Sequence, residues 1–477
     1  MKIALVNRLD LFLREKKKFS TDMFPLGLAI VASVMRNAGF KPVLFDTNIN
    51  DMSVDELSGK LVDFDVVCMS ILYGSTMGYY LELIEKIKKK NPNIKVVVGG
   101  PMPTSMPKEF LEQTSADVVV VGEGETTTVE LLNAVEKRMP LDNVKGIYFR
   151  ENNRIKVNPP QKHIENMDDV PFPAWDLFDI KRYFTDIKVS PGKRAFSVIT
   201  SRGCPYNCQF CTHAFGRRWK GQSVERIMAE IQELKSKYKI DALRLVDDNF
   251  IFERSRVIEF SKAIKKEDIK WICLGRVNNV DKEMVLTMKS SGCVSIQNGI
   301  ESASDRVLKV MQKGFTVRQL YDYVKLMKNV KMLVKGSLML GVPTETKQDA
   351  MQTLKFAKHV IKNVKGSMLS CGYFNIRPNI PWYHLAICKG LKPLTIRQWI
   401  DIDLRKGVYF NMSAMTEKEL KEMFMRINMA TLMSRVGLKR AASYLFNIKN
   451  IKQEFIPFFF RKLSSQRGEG SQPSKPL

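Results

Sequence analysis

Ser201-Arg202-Gly203-Cys204-Pro205-Tyr206-Asn207-Cys208-Gln209-Phe210-Cys211 follows an apolar, β-branched run at 196–200 and places three thiols within eight residues. Thiols this dense in a long chain mark a metal site rather than a disulfide scaffold. Three thiolates can hold an iron–sulfur cubane and leave one iron open to another ligand. Zinc needs a fourth Cys or His, which His213 could supply, so a zinc knuckle is the competing reading. The strand before this loop opens a series, with further strands expected near 242–246, 271–274, 294–297, 334–340 and 368–373 and amphipathic helices between them. Six such repeats are fewer than the eight of a closed barrel. The chemistry therefore points to a partial (β/α)6 barrel over 195–375, with its site at the strand C-terminal ends.

Upstream, 1–137 has the same alternation, with strands expected at 3–6, 42–45, 65–69, 94–98 and 117–121 and helices at 25–38, 54–61, 77–90, 107–113 and 126–137. This predicts an α/β, doubly wound, Rossmann-like sheet. Ser70-Ile71-Leu72 and Gly99-Gly100 both lie just beyond strands. A small hydroxyl and two glycines there let the backbone approach a flat ligand whose tail enters beside the sheet. Residues 138–194 read as a linker with a hairpin around Glu151-Asn152-Asn153, broken by Pro159-Pro160 and Pro171-Phe172-Pro173. A mainly helical region is expected over 376–463 and a disordered tail over 464–477.

The 477 residues are 44% apolar and 26% charged, an ordinary globular composition for two or three domains. The net charge of +26 suggests an anionic neighbour, against the blander reading of a generally basic enzyme. No apolar run is long enough to span a membrane, and the N-terminus does not read as a signal peptide, so a reducing, cytoplasmic location is expected. Residues 376–477 carry 18 Lys and Arg against 7 acidic residues. Within them, 435–462 interleaves Phe and Ile with seven basic residues and is a candidate for peripheral contact with an anionic membrane, the alternative being packing on its own domain. Cys68, Cys273, Cys293, Cys371 and Cys388 read mostly as buried small hydrophobes.

The Cys-x3-Cys-x2-Cys spacing with Phe210 before the last Cys resembles the signature of the radical S-adenosylmethionine (SAM) enzymes. In that family Cys204, Cys208 and Cys211 would ligate a [4Fe-4S] cluster whose open iron chelates SAM, and reductive cleavage would give a 5′-deoxyadenosyl radical. The resemblance places Phe210 near the adenine and Asp248 and Asn249, after the second strand, near the SAM amino group. Gly299-Ile300-Glu301-Ser302-Ala303-Ser304-Asp305 resembles the next family signature, with Ala303 where Gly is common and Glu301 a candidate for the SAM ribose or amino group. The run from Gly336 to Glu345 matches the strand that passes the adenine, which brings in Gly341 and Glu345; Glu345 alternatively caps the following helix. Arg276 is a candidate for the SAM carboxylate, or for a structural ion pair.

The Ser-x-Leu and Gly-Gly spacing resembles the cobalamin-binding domain, with Ser70, Leu72, Gly99 and Gly100 at the ligand and Glu123 and Gly124 in the loop that closes the nucleotide pocket. The departure is that no Asp-x-His-x-x-Gly follows the first strand and no histidine precedes His163. Together the two halves resemble the cobalamin-dependent radical SAM enzymes. That resemblance implies methylation of an unactivated carbon on a small or lipid-like substrate, with an electron donor such as flavodoxin or ferredoxin. An oxidoreductase or cyclase with the same cofactors is the alternative. A methylthiotransferase acting on RNA ranks lower, because such enzymes carry three cluster cysteines in the N-terminal domain and here only Cys68 precedes Cys204.

Overall fold

The computed structural model describes residues 1–8, 24–50, 52–74, 76–187, 190–402 and 410–446. Strands β1 (Ile3–Asn7), β2 (Pro42–Asp46), β3 (Val66–Ser70), β4 (Lys95–Gly99) and β5 (Val118–Val120) pair in parallel in the order β2-β1-β3-β4-β5. Ile3, Ala4, Leu5 and Val6 are all fully buried, which is why β1 is a continuous apolar run: helices cover both faces. The connections reverse direction between β1 and β3. This opens a crevice beyond the carboxyl ends of the strands, where doubly wound sheets bind ligands.

The expected linker needs correction. Its hairpin, β6 (Ile147–Glu151) and β7 (Arg154–Val157), joins β5 antiparallel and makes the sheet mixed and seven-stranded. The added strands cover an edge of β5 that would otherwise present unpaired backbone groups. Asn152 and Asn153 take the two left-handed turn positions at φ 48° and 60°, which Asn tolerates better than other side chains. Downstream, the Phe24 ring lies 5.1 Å from Trp175, 4.8 Å from Phe178, 5.1 Å from Tyr183 and 5.0 Å from Phe196. An aromatic core, rather than a loose tether, joins the two sheets.

The second sheet comprises β8 (Thr185–Ile187), β9 (Ser190–Val198), β12 (Ala242–Leu245), β13 (Lys270–Gly275), β14 (Cys293–Glu301), β15 (Leu333–Leu340) and β16 (Met368–Tyr373); the short pair β10 (Ser201–Arg202) and β11 (Lys220–Gly221) stands apart. Six strands run parallel in the order β9-β12-β13-β14-β15-β16, with β8 antiparallel at the end. This is the open (β/α)6 arrangement that the alternation implies. Helix starts are set chemically: Ser223 caps Val224–Tyr238, and Thr316 with Gln319 and Thr346 with Asp349 form capping boxes ahead of Val317–Asn329 and Lys347–Asn363.

The region beyond 376 divides in two. Phe374, Ile376, Trp382, Tyr383, Ile396 and Trp399 share a core with Leu57, Tyr80, Ile84 and Phe110 of the first domain. Polar contacts fix that return: the Ile396 N–H donates to Gln113 Oε1 at 2.8 Å, and Arg397 pairs with Glu85. The helix Glu417–Phe446 instead covers β16, where the Asn428 amide accepts from the Cys371 N–H at 3.3 Å and donates to its carbonyl at 3.2 Å. A side-chain amide thus satisfies the edge strand's free backbone groups. Among the described residues no helix is long and apolar enough to cross a membrane. Residues 447–477, with most of the basic aromatic segment and the expected tail, lie outside the described residues.

Candidate functional site

The cysteine loop rises from a pinned stem. Ser201 pairs with Gly221 and Arg202 with Lys220, so both ends of the loop leave one short antiparallel ribbon. Gly203 sits at φ 83°, and a Cβ there would fall 2.2 Å from the Arg218 carbonyl, so only glycine fits. Buried Asp247 accepts from the Thr200 N–H and hydroxyl, each at 2.6 Å, and from the Ser201 hydroxyl at 2.7 Å. Asp248 accepts from the Gly203 N–H at 3.0 Å. The second-strand motif therefore braces the loop stem, and Asp248 serves that brace directly.

Cys208 is buried, Cys204 partly buried and Cys211 exposed. Burial pushes the Cys204 thiol up. The Arg276 guanidinium, 3.6 Å over the Tyr206 ring, donates to Cys208 Sγ at 3.3 Å and to the Lys313 carbonyl. A ring, a thiol and a carbonyl hold it, which is not the structural ion pair expected as the alternative. His213 lies with Nδ1 3.0 Å from the Cys211 carbonyl and Nε2 2.8 Å from the Tyr206 carbonyl, so its ring is engaged by the loop backbone instead of offered as a fourth zinc ligand. Three thiols in one loop, with a cation against one of them, fit a cluster that takes only thiolates from the protein.

Lys313 connects the neighbouring candidates. Its ammonium lies 3.3 Å from Glu301 Oε1 and 5.2 Å from the centre of the Phe210 ring, and its carbonyl holds Arg276. Phe210 also meets Trp382, ring centres 6.0 Å apart. Glu301 stands at φ 63° with Oε2 3.4 Å from the Ser337 hydroxyl. Asn249 is fully buried, and neither atom of its amide has a protein partner. A buried amide left unpaired is costly, so this orphan fits a polar ligand group there. Glu345 is turned to the Gly341 N–H at 2.7 Å, its other oxygen is unpartnered, and burial pushes its pKa up to about 8. The helix cap expected of Glu345 is supplied by Thr346 instead.

A cavity of about 730 Å³ lies beyond the carboxyl ends of the first sheet. Ser70, Leu72, Gly99, Gly100, Glu123 and Gly124, the six first-domain candidates, all line it. The Ile71 N–H donates to the Gly99 carbonyl at 2.8 Å, and a Cβ on Gly100, at φ 92°, would lie 2.9 Å from Ser70 Oγ and from both Ile71 backbone atoms. The Ser-x-Leu and Gly-Gly segments are thus one clasp whose closeness requires glycine. Facing it are Arg202 and residues 212–215 of the cysteine loop, with Ile199, Arg244, Ile272, Leu274 and Gln297 on the barrel side. The cavity joins both halves of the chain, and its size and walls suit a large, flat ligand.

Glu123 does more than line this wall. Oε1 accepts from Arg202 Nη1 at 2.9 Å, and Oε2 accepts from the Ile164 N–H at 3.0 Å and lies 3.1 Å from His163 Nδ1 and 3.3 Å from Lys220 Nζ. Arg202 also reaches Glu125 at 2.5 Å. Burial works to raise the Glu123 pKa, but Arg202 and Lys220 outweigh it and hold the carboxyl below its usual range. Glu123 lines the cavity, and its carboxylate is engaged by the protein. Arg202, Lys220, Glu125 and His163 escape a reading of the sequence, in which each passes for a solvated charge.

Two family models match the chain: the B12 binding domain over residues 16–132 and the radical SAM superfamily over residues 198–357. An uncharacterized methyltransferase of Pyrococcus horikoshii is 36% identical over 349 residues, covering 72% of this chain and 75% of that protein. An anaerobic magnesium-protoporphyrin IX monomethyl ester cyclase of Rubrivivax gelatinosus is 27% identical, covering 70% of this chain and 62% of that one. Among solved structures, the radical SAM methyltransferase TsrM of Kitasatospora setae, with cobalamin and a [4Fe-4S] cluster bound, has a TM-score of 0.65 at 17% identity, covering 83% of this chain and 76% of that one. The chain therefore belongs to the cobalamin-dependent radical SAM enzymes, whose cofactors are cobalamin, a [4Fe-4S] cluster and SAM.

Proposed function

We propose that the enzyme is a methyltransferase acting on an unactivated carbon of a small or lipid-like substrate. The observation that carries this reading is the cavity lined both by the Ser70–Gly100 clasp and by residues 212–215, directly after Cys211, which would bring a methyl carrier close to the cluster loop. When bound, the cluster and SAM supply hydrogen abstraction and cobalamin supplies a methyl carrier. In this reading Cys204, Cys208 and Cys211 hold the cluster. Phe210, Asn249, Arg276, Glu301 and Gly341 surround SAM, with Asp248 and Glu345 shaping the loops around it. Ser70, Leu72, Gly99, Gly100 and Gly124 seat cobalamin, and Glu123 fixes the wall. Ile199, Ile272 and Leu274 keep water from the reacting carbon, while Arg244 and Gln297 orient a polar end of the substrate.

The relative named a methyltransferase supports methyl transfer, and the relative named a cyclase keeps the second reading open. Radical SAM enzymes need a reductant, which in this proposal is a flavodoxin or ferredoxin. The test is turnover with methyl-labelled SAM. Labelled product, with 5′-deoxyadenosine and S-adenosylhomocysteine released in comparable amounts, is expected. Turnover that releases 5′-deoxyadenosine alone would replace this reading with an oxidoreductase or cyclase.

A further inference from the structure

Four ionic side chains form a buried cluster between the two domains. Glu123, Glu125, Arg202 and Lys220 are 8%, 8%, 2% and 7% exposed. Their charges balance, two of each sign. The two cations are cross-strand partners at the base of the cysteine loop, and both reach the same carboxylate on the first domain. Buried pairs of this kind add little net stability compared with apolar packing, but breaking one leaves a charge stranded, so they hold a geometry stiffly. The two sides of the cluster also border the same cavity: Glu123 and Gly124 on one, Arg202 and residues 212–215 on the other. A ligand filling the cavity presses on both.

We propose that Glu123 is a positioning residue that locks the stem of the cysteine loop to the cobalamin-domain wall, so that cobalamin binding and cluster assembly favour each other. The inference rests on cobalamin occupying the cavity. Order imposed on the loop by three iron–thiolate bonds travels through Arg202 and Lys220 to Glu123 and fixes the opposite wall before cobalamin arrives. Coupling between sites is reciprocal, so cobalamin must in turn favour the cluster by the same factor.

The test titrates full-length protein with hydroxocobalamin, by absorbance, in cluster-free and cluster-loaded forms. Wild type is expected to bind at least about 5-fold more tightly when the cluster is present. In Glu123→Gln that ratio should fall to about one at unchanged iron content. A purely structural loss would weaken both forms alike and leave the ratio intact. Because neutralising Glu123 strands a cation, the charge-balanced double variant Glu123→Gln/Lys220→Met, which keeps the Arg202–Glu125 pair, provides a second arm with the same expected collapse. A wild-type ratio of one, or a ratio retained in either folded variant, would overturn the proposal. Wild type that bound no cobalamin in either form would overturn the cofactor's place in the cavity and this inference with it. None of these readouts depends on whether methyl is transferred.

Discussion

The Arg276 guanidinium donates to Cys208 Sγ across 3.3 Å and is itself buried, 6% exposed, between Tyr206 and the Lys313 carbonyl. A fixed positive charge against a thiolate ligand stabilises the more negative, reduced state of a cluster. Replacing Arg276 with Met should therefore leave the cluster assembled, since all three thiols remain, but lower its midpoint potential by on the order of tens of millivolts. An EPR-monitored redox titration measures this. An unchanged potential would show that the Arg276 charge does not tune the cluster.

Gly299 lies beneath the Glu301–Lys313 pair: a Cβ there would fall 2.4 Å from Glu301 Oε1 and 2.9 Å from Lys313 Nζ. Both are tips of flexible side chains, so Gly299→Ala should displace the pair without unfolding the barrel. Disturbing a buried pair at this depth should cost roughly 1–3 kcal/mol in stability. If Glu301 meets SAM, as proposed, SAM affinity measured by equilibrium dialysis should fall by about 10-fold, or ~1.4 kcal/mol. Undiminished affinity in a folded variant would remove Glu301 from the SAM site.

Both sheets are legible in the sequence because short β-branched runs alternate with helix-spaced stretches. Each expected strand has an observed counterpart, although Ser190–Val198 starts six residues before the expected 196–200, Cys293–Glu301 runs four residues past the expected 294–297, and β8, β10 and β11 have no counterpart among the expected strands. The cysteine loop and the Gly-Gly turn are legible because each needs a specific residue at a local position. The hairpin's union with β5 is not, since a hairpin reads the same whether it stands alone or extends a sheet. The ionic clasp is hidden for a different reason: Glu123 and Arg202 are 79 residues apart, and only the packing of two domains turns them from surface charges into a buried pair. The return of 374–402 onto the first domain is likewise a matter of tertiary contacts that no local period encodes.

Glu345 and Glu230 are both buried carboxyls pushed up to about 8 from an ordinary 4.5. Between those values the unfolded chain gives up a proton that the folded chain keeps, so their contribution is fully present below about pH 4.5 and is lost as pH rises towards 8. Glu345→Gln keeps an oxygen for the Gly341 N–H and removes one of the two titrations. Relative to wild type, the variant should therefore gain stability as pH rises through this window, by on the order of several kcal/mol. Denaturant midpoints at the two ends of the window check the sign. A gain at the acid end instead would mean that Glu345 is ionised in the folded protein.

The lower face of cobalt offers the last test. The loop beyond β1 offers no histidine, since none precedes His163; His163 lies against Glu123, and the ring of His213, which also lines the cavity, is held by the Cys211 and Tyr206 carbonyls. Asn7 lines the cavity at the end of β1, but its amide nitrogen donates to Asp46 Oδ1 and to the Tyr183 hydroxyl, each at 3.0 Å. Arg8 is buried with its guanidinium 4.3 Å over the Tyr79 ring, and a protonated guanidinium has no lone pair to give. Asp10, the remaining candidate in that stretch, lies outside the described residues and carries oxygen, not nitrogen. We therefore expect that cobalamin, when bound, would take no nitrogen ligand from this protein. EPR of the bound Co(II) form should show no splitting that changes when the protein is labelled with nitrogen-15. A label-sensitive splitting would show a protein ligand and sink the expectation. A splitting indifferent to protein labelling would assign the lower position to the cofactor's own benzimidazole.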